Sequence, residues 1–216
     1  MHPAVDGDSY ELTIDLDAQT YMQQALQQAR EKSGAKSASA VVLDSKTGEI
    51  VAMGSSDSID PNGDIEKQLK RKKVFGDRPT ADSFEPGSVA KIMTAAAAIQ
   101  EGKTTPDEVL KIPGSIDMAG VTVKDAWEHG EVPYTTTGVF GKSSNVGTLM
   151  LAQRVGEEKM YDYFRKFGVG QAAGVGLPYE VSGYMPELNQ WSGGTFANLP
   201  IGQGMSMNLL QMTSIY

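Results

Sequence analysis

The run Pro86-Gly87-Ser88-Val89-Ala90-Lys91-Ile92-Met93, continued by Ala95-Ala96-Ala97-Ala98 and closed by Gly102, constrains the fold most. Proline and glycine open a helix and Gly102 ends it, so a helix is expected from Ser88 to about Gln100. It is apolar on every side, and such a helix has to be covered by other elements. A Ser-x-x-Lys at its start sets the Ser88 hydroxyl and the Lys91 ammonium one turn apart on one face. The helix N-terminus and a low-dielectric surround both disfavour a charged lysine. Ile92, Met93 and the alanines place Lys91 in apolar surroundings on this reading. A lysine with its pKa drawn toward neutrality can take the serine proton. A capping serine beside an exposed lysine would need polar neighbours instead.

Punctuation and periodicity supply the other elements. Tyr10, Leu12 and Ile14 alternate as on a strand. Asp15 or Asp17 can cap a helix to about Lys32, carrying Tyr21, Met22, Ala25 and Leu26 and closed by Gly34. Residues 39–43 and 49–53 read as strands around the turn Asp44-Ser45-Lys46-Thr47-Gly48. Residues 55–83 are polar, with Asp60-Pro61-Asn62-Gly63 as a turn. The basic run Lys67, Lys70, Arg71, Lys72, Lys73 within them has no interleaved aromatics and reads as a solvated face. Residues 103–135 read as loop-rich with one or two short strands, and 136–155 as helical around a polar interruption. A further helix is expected at 157–167, glycine-rich turns at 168–176 and 192–194, and a last helix at 206–216. The order is α+β. It reads as one domain over 1–216, with strands and helix at 8–54, a polar insertion at 55–83, and the buried helix with a helical subdomain at 84–216.

Composition removes several kinds of chemistry. With 27 acidic against 19 basic residues and a net charge of −8, the chain lacks the footprint of a nucleic-acid binder. It has no cysteine, so thiolate metal sites, disulfides and a cysteine nucleophile are out. His2 and His129 are its only histidines, which effectively excludes a multi-histidine metal site and points any serine chemistry to another base. No stretch approaches the ~18 apolar residues of a membrane span. Met1-His2-Pro3-Ala4 has no charged leader, apolar core or cleavage site, so either the protein is cytosolic or the sequence begins after its targeting segment. The end at Ile215-Tyr216, without cap or polar tail, reads as a helix cut short, and the chain as a fragment.

Lys142-Ser143-Ser144-Asn145-Val146-Gly147 lies between two helical segments. Ser143 and Asn145 alternate, so an extended or tight turn could point both into one cleft. A hydroxyl there could relay a proton to a leaving amine, and the asparagine could hold a substrate amide. By itself the tripeptide reads as an ordinary helix cap. Together, Ser-x-x-Lys and Ser-x-Asn are two of the three signatures of penicillin-binding proteins and class A β-lactamases. The surrounding residues narrow the match. Leu12-Thr13-Ile14-Asp15, Val42-Leu43-Asp44, Thr47-Gly48-Glu49-Ile50-Val51-Ala52-Met53, Asp60-Pro61-Asn62 and Phe84-Glu85-Pro86-Gly87-Ser88 occur in order. Phe167-Gly168-Val169-Gly170 and Gly202-Gln203-Gly204-Met205 continue them. From about residue 8 onward the chain resembles the transpeptidase domain of class B penicillin-binding proteins, particularly division-type actinobacterial ones.

That resemblance implies a penicillin-binding/β-lactamase-like transpeptidase fold, an antiparallel sheet with a helical subdomain, C-terminally incomplete here. It makes Ser88 the acylated nucleophile, Lys91 its base, and Ser143 and Asn145 the second motif, with no cofactor and no metal. The implied activity is peptidoglycan D,D-transpeptidation in septal cell-wall synthesis. Stem peptides are the implied substrates and β-lactams the acylating ligands. A membrane glycosyltransferase and division proteins are the implied partners, at the extracytoplasmic face of the cytoplasmic membrane. The third motif, Lys-Thr-Gly, departs from the pattern. Lys46-Thr47-Gly48 precedes Ser88 and sits in an expected hairpin turn, so the functional triplet is expected beyond Tyr216. This chain alone is then expected to be impaired or inactive. Two rivals stay open: a β-lactamase or β-lactam sensor, for which no deacylating base is evident, and a non-catalytic binding or scaffolding module. Gly168-Val169-Gly170-Gln171-Ala172-Ala173 fits a dinucleotide G-x-G-x-x-A, but an expected helix precedes it where a strand is needed. His129, with no serine motif around it, reads as a loop residue.

Overall fold

Asp15 starts the first helix: its carboxylate accepts the Ala18 N–H at 2.7 Å, satisfying a donor the helix cannot use itself. The computed structural model describes residues 7–216, so Met1-His2-Pro3-Ala4 lies outside the described residues. The chain divides into two compact units, Met1–Pro79 and Thr80–Tyr216.

In the first unit, α1 (Leu16–Ser33) ends at Gly34, whose φ of 68° lets its N–H close back on Arg30 O. Met22 and Leu26 pack with Ala52 of the hairpin formed by β1 (Ser39–Leu43) and β2 (Ile50–Ser55). The strands are antiparallel, and Asp44 Oδ1 accepts the Lys46 and Thr47 N–H groups between them. Lys46-Thr47-Gly48 is therefore a turn, as expected. Residues 10–14 are not a strand. They are anchored by Thr13 Oγ1 donating to Ile50 O and Asp15 N–H to Val51 O, while Tyr10 and Leu12 are 85% and 75% exposed. Alternation makes a strand only where a neighbour covers one face. In the polar stretch, α2 (Ile65–Lys70) is capped by Asp64, and Lys67, Lys70, Arg71 and Lys72 are exposed, the expected solvated face. A short α3 (Arg78–Ala81) follows.

The second unit is built around the apolar helix. After β3 (Ser83–Phe84) the chain makes a tight 3₁₀ turn, Gly87–Ala90, and continues as α4 (Lys91–Gln100). The first turn is thus tighter than the single α-helix expected from Ser88. Met93, Ala97 and Ala98 are fully buried, but Ile92 and Ile99 are 36% and 47% exposed, so the helix is not covered all round. Residues 103–135 hold four strands rather than one or two: β4 (Val109–Ile112), β5 (Ser115–Met118), β6 (Val121–Lys124) and β7 (Val132–Thr135). The β5–β6 hairpin is nested inside the antiparallel β4–β7 pair.

The expected helical stretch with a polar interruption resolves into α5 (Thr136–Gly141) and α6 (Asn145–Val155), followed by α7 (Glu157–Lys166). Gly147 of α6 has no room for a side chain, since a Cβ would come within 2.7 Å of Val139. The alanines of α4 serve the same closeness, with Met93, Leu151, Met160 and Phe164 filling the core around them. α7 precedes Gly168-Val169-Gly170, so the G-x-G-x-x-A run is a turn after a helix. Ser192 does not sit in a simple turn: it caps α8 (Gly193–Asn198), with Thr195 completing a capping box. The last segment starts as β8 (Met207–Asn208), paired with β3, before α9 (Leu209–Ser214). The result is an α+β fold with antiparallel strand pairs and a helical core. Among the described residues, no helix is long and apolar enough to cross a membrane.

Candidate active site

Two chain segments hold Ser88 in place. Gly87 N–H donates to Gly202 O at 2.9 Å, and Gly204 N–H donates to the Glu85 carboxylate at 2.9 Å. Behind the serine, Thr94 Oγ1 of α4 donates to Pro200 O at 2.9 Å. Gly202 has φ 83°, and a Cβ there would lie 2.0 Å from Gly87 O. Gly202→Ala is therefore expected to cost about 2–4 kcal/mol of unfolding free energy, from backbone strain plus a clash that cannot relax without breaking the Gly87 bond. Denaturant unfolding of the full-length protein checks this; an unchanged midpoint would defeat the close-approach argument.

Ser88 is exposed, whereas Lys91, one turn on, is 3% exposed. The lysine is not in apolar surroundings as expected. Its ammonium donates to Ser143 O at 2.6 Å, Ser143 Oγ at 3.1 Å and Asn145 Oδ1 at 2.6 Å. Three acceptors match the three N–H bonds of an ammonium. They converge because Ser143 adopts φ 55°, a left-handed conformation uncommon for a non-glycine residue, which turns the chain between α5 and α6. Ser88, Lys91 and Ser143 share a cavity of about 230 Å³ with Phe140 and Tyr216. Tyr216 donates its hydroxyl to Val89 O at 3.0 Å. The structure thus brings all four sequence-derived residues together.

Burial pulls the Lys91 pKa down to about 8, against the opposing pull of the Asp125 carboxylate. Deprotonation changes the hydrogen-bond count in an informative way. A neutral amine has two N–H bonds and one lone pair. Ser143 O and Asn145 Oδ1 can only accept, so they retain the two N–H bonds. The lone pair is then left for a hydroxyl; Ser88 and Ser143 offer one each on this cavity, while the Tyr216 hydroxyl is already donated to Val89 O. Asn145 has a further anchor, Nδ2 to Lys124 O at 2.9 Å, which leaves its second amide N–H for a ligand.

Sequence reasoning missed Asp125 and set His129 aside as a loop residue. His129 does lie in the loop between β6 and β7, but its Nε2 stands 3.0 Å from Asp125 Oδ2. Asp125 in turn accepts the Ser144 hydroxyl at 2.8 Å and the Val146 N–H at 3.0 Å. No local pattern advertises these contacts. Among the described residues, no group of three or more His, Asp or Glu could hold a metal ion.

Fold and site define a class, the penicillin-binding and β-lactamase-like proteins with Ser-x-x-Lys opening a core helix and Ser-x-Asn facing the lysine. The penicillin binding protein transpeptidase domain matches residues 38–216, and the chain belongs to that family. It is 61% identical over 215 residues to penicillin-binding protein PbpB of Mycolicibacterium smegmatis, covering 100% of this chain and 33% of that protein. It is 36% identical over 206 residues to the peptidoglycan D,D-transpeptidase FtsI of Escherichia coli, covering 95% of this chain and 34% of that protein. The chain spans about a third of the length of these curated relatives. The crystal structure of penicillin binding protein 3 from Mycobacterium tuberculosis complexed with aztreonam superposes with a TM-score of 0.95 at 61% identity, over 100% of this chain and 48% of that one.

Proposed function

We propose that this chain carries the acylation machinery of a peptidoglycan D,D-transpeptidase. Ser88 Oγ attacks the carbonyl between the two D-alanines of a stem peptide. Lys91 takes the serine proton, and the terminal D-alanine leaves with a proton relayed through Ser143. An amine of a neighbouring stem peptide then attacks the acyl-enzyme, giving up a proton to Lys91, which passes it to the departing Ser88 Oγ as the cross-link forms. A β-lactam acylates the same hydroxyl by ring opening. Asn145 holds the substrate amide. The observation that carries this reading is the convergence of Ser143 and Asn145 on a buried Lys91 that opens onto the Ser88 cavity.

The Ser88 N–H is one oxyanion donor; the other belongs to the strand bearing the functional Lys-Thr-Gly triplet. Losing one such donor typically costs ~10²–10³ in rate. The work is septal cell-wall synthesis outside the cytoplasmic membrane, alongside a membrane glycosyltransferase and division proteins. Structures of the mycobacterial relative with aztreonam and ampicillin support the β-lactam part.

Incubating the full-length protein with a fluorescent penicillin and locating the adduct by peptide mass spectrometry tests the proposal. A covalent mass on the Ser88 peptide is expected; none, or one elsewhere, overturns it. Steady penicillin turnover would favour a hydrolase instead. The pH dependence follows from Lys91. Its neutral form is the active one, so acylation is expected to rise ~tenfold per pH unit up to about pH 8 and then level off. A flat profile measured by stopped-flow labelling would remove Lys91 as the base.

A further inference from the structure

The carboxylate of Asp125, in the loop after β6, is fully buried at 0% exposure, yet it touches neither Ser88 nor the cavity around it. Its bonds go to the back of the second motif. Ser144 Oγ donates to Oδ2 at 2.8 Å and Val146 N–H to Oδ1 at 3.0 Å. Ser144 Oγ also accepts the Gly147 N–H at 2.9 Å, capping α6. The preceding carbonyl, Lys124 O, takes the Asn145 amide at 2.9 Å. Lys124 at the end of β6 and Asp125 just after it therefore hold three consecutive residues, 144–146, and orient the Ser143 and Asn145 groups that meet Lys91.

His129 completes the arrangement. Its Nε2 faces Asp125 Oδ2 at 3.0 Å and its Nδ1 faces Gly130 O at 2.6 Å. Both are acceptors, so both contacts are hydrogen bonds only when both ring nitrogens carry protons. The Gly130 carbonyl and, next, the Asp125 carboxylate accordingly push the His129 pKa up. Lys124 and Glu128 are the other charged groups lining the cavity on this side, with Trp127. On the Lys91 side, Asp125 is the charge that acts on the ammonium, and Tyr216 is the other titratable group on the cavity.

We propose that Asp125 is a positioning residue for the Ser143–Asn145 motif, and that the Asp125–His129 pair sets the charge sensed by the Lys91 amine. The proposal rests on the reading of Ser88 as nucleophile and Lys91 as base.

The test is the acid limb of the acylation rate against pH, measured with fluorescent penicillin on the full-length protein. Asp125→Asn keeps the shape but removes the charge that favours protonated Lys91, so the limb moves to lower pH. His129→Gln leaves the carboxylate uncompensated, so the limb moves to higher pH. A purely structural prop would lower the plateau rate in both variants and leave the limb where it was. Unmoved limbs, or shifts of the same sign, overturn the proposal. If Asp125→Asn does not fold by circular dichroism, the His129→Gln limb decides: an upward shift supports the pair, no shift overturns it. Absence of label in the unmutated protein is distinguishable from these results, because it removes the underlying reading and this one with it.

Discussion

Ser88→Ala is expected to abolish covalent labelling by penicillin while leaving the melting temperature unchanged. The two halves of that expectation have separate grounds. Acylation needs an oxygen nucleophile at this position, and alanine has none, so the loss is complete rather than graded. Stability is untouched because Ser88 is exposed, and the turn around it is held by the Gly87 N–H on Gly202 O and the Gly204 N–H on the Glu85 carboxylate. Persistent labelling of the variant would place the nucleophile elsewhere, and the assignment would fail.

Lys91→Ala carries the next largest effect, a fall in acylation rate of ~10³, within the range that a positioned general base contributes. Two things are lost together: the base, and the donor that draws Ser143 O, Ser143 Oγ and Asn145 Oδ1 to one point. Lys91→Arg separates them. A guanidinium can satisfy the acceptors but does not give up its proton at any working pH. The arginine variant is therefore expected to be about as slow as the alanine variant, with its pH limb near 8 gone. Near-normal acylation by the arginine variant would show that Lys91 acts by charge and hydrogen bonding alone.

Legibility in the sequence followed the range of the interactions. The α1 boundaries were visible because Asp15 and Gly34 act within one turn of the helix they close. The Asp44–Gly48 turn was visible for the same reason, since Asp44 bonds residues two and three positions on. Strands without such punctuation were harder. β4 pairs with β7 across an intervening hairpin, so neither announces its partner. The alternation of Tyr10, Leu12 and Ile14 misled because a two-residue period says which face a strand would bury, not whether anything is there to cover it.

By itself, the sequence determined that a largely apolar helical run opens with Ser88 and Lys91 one turn apart, that Ser143 and Asn145 lie between two helical segments, and that no cysteine and too few histidines exist for a cysteine nucleophile or a multi-histidine metal site. Those are matters of residue identity and of geometry inside a few bonds. Only the tertiary structure decided what surrounds Lys91. Its acceptors lie 52 and 54 residues away, and the carboxylate that braces them lies 19 residues before Ser144. A pKa depends on burial and on charges near in space, and neither is written into the neighbours of a lysine along the chain.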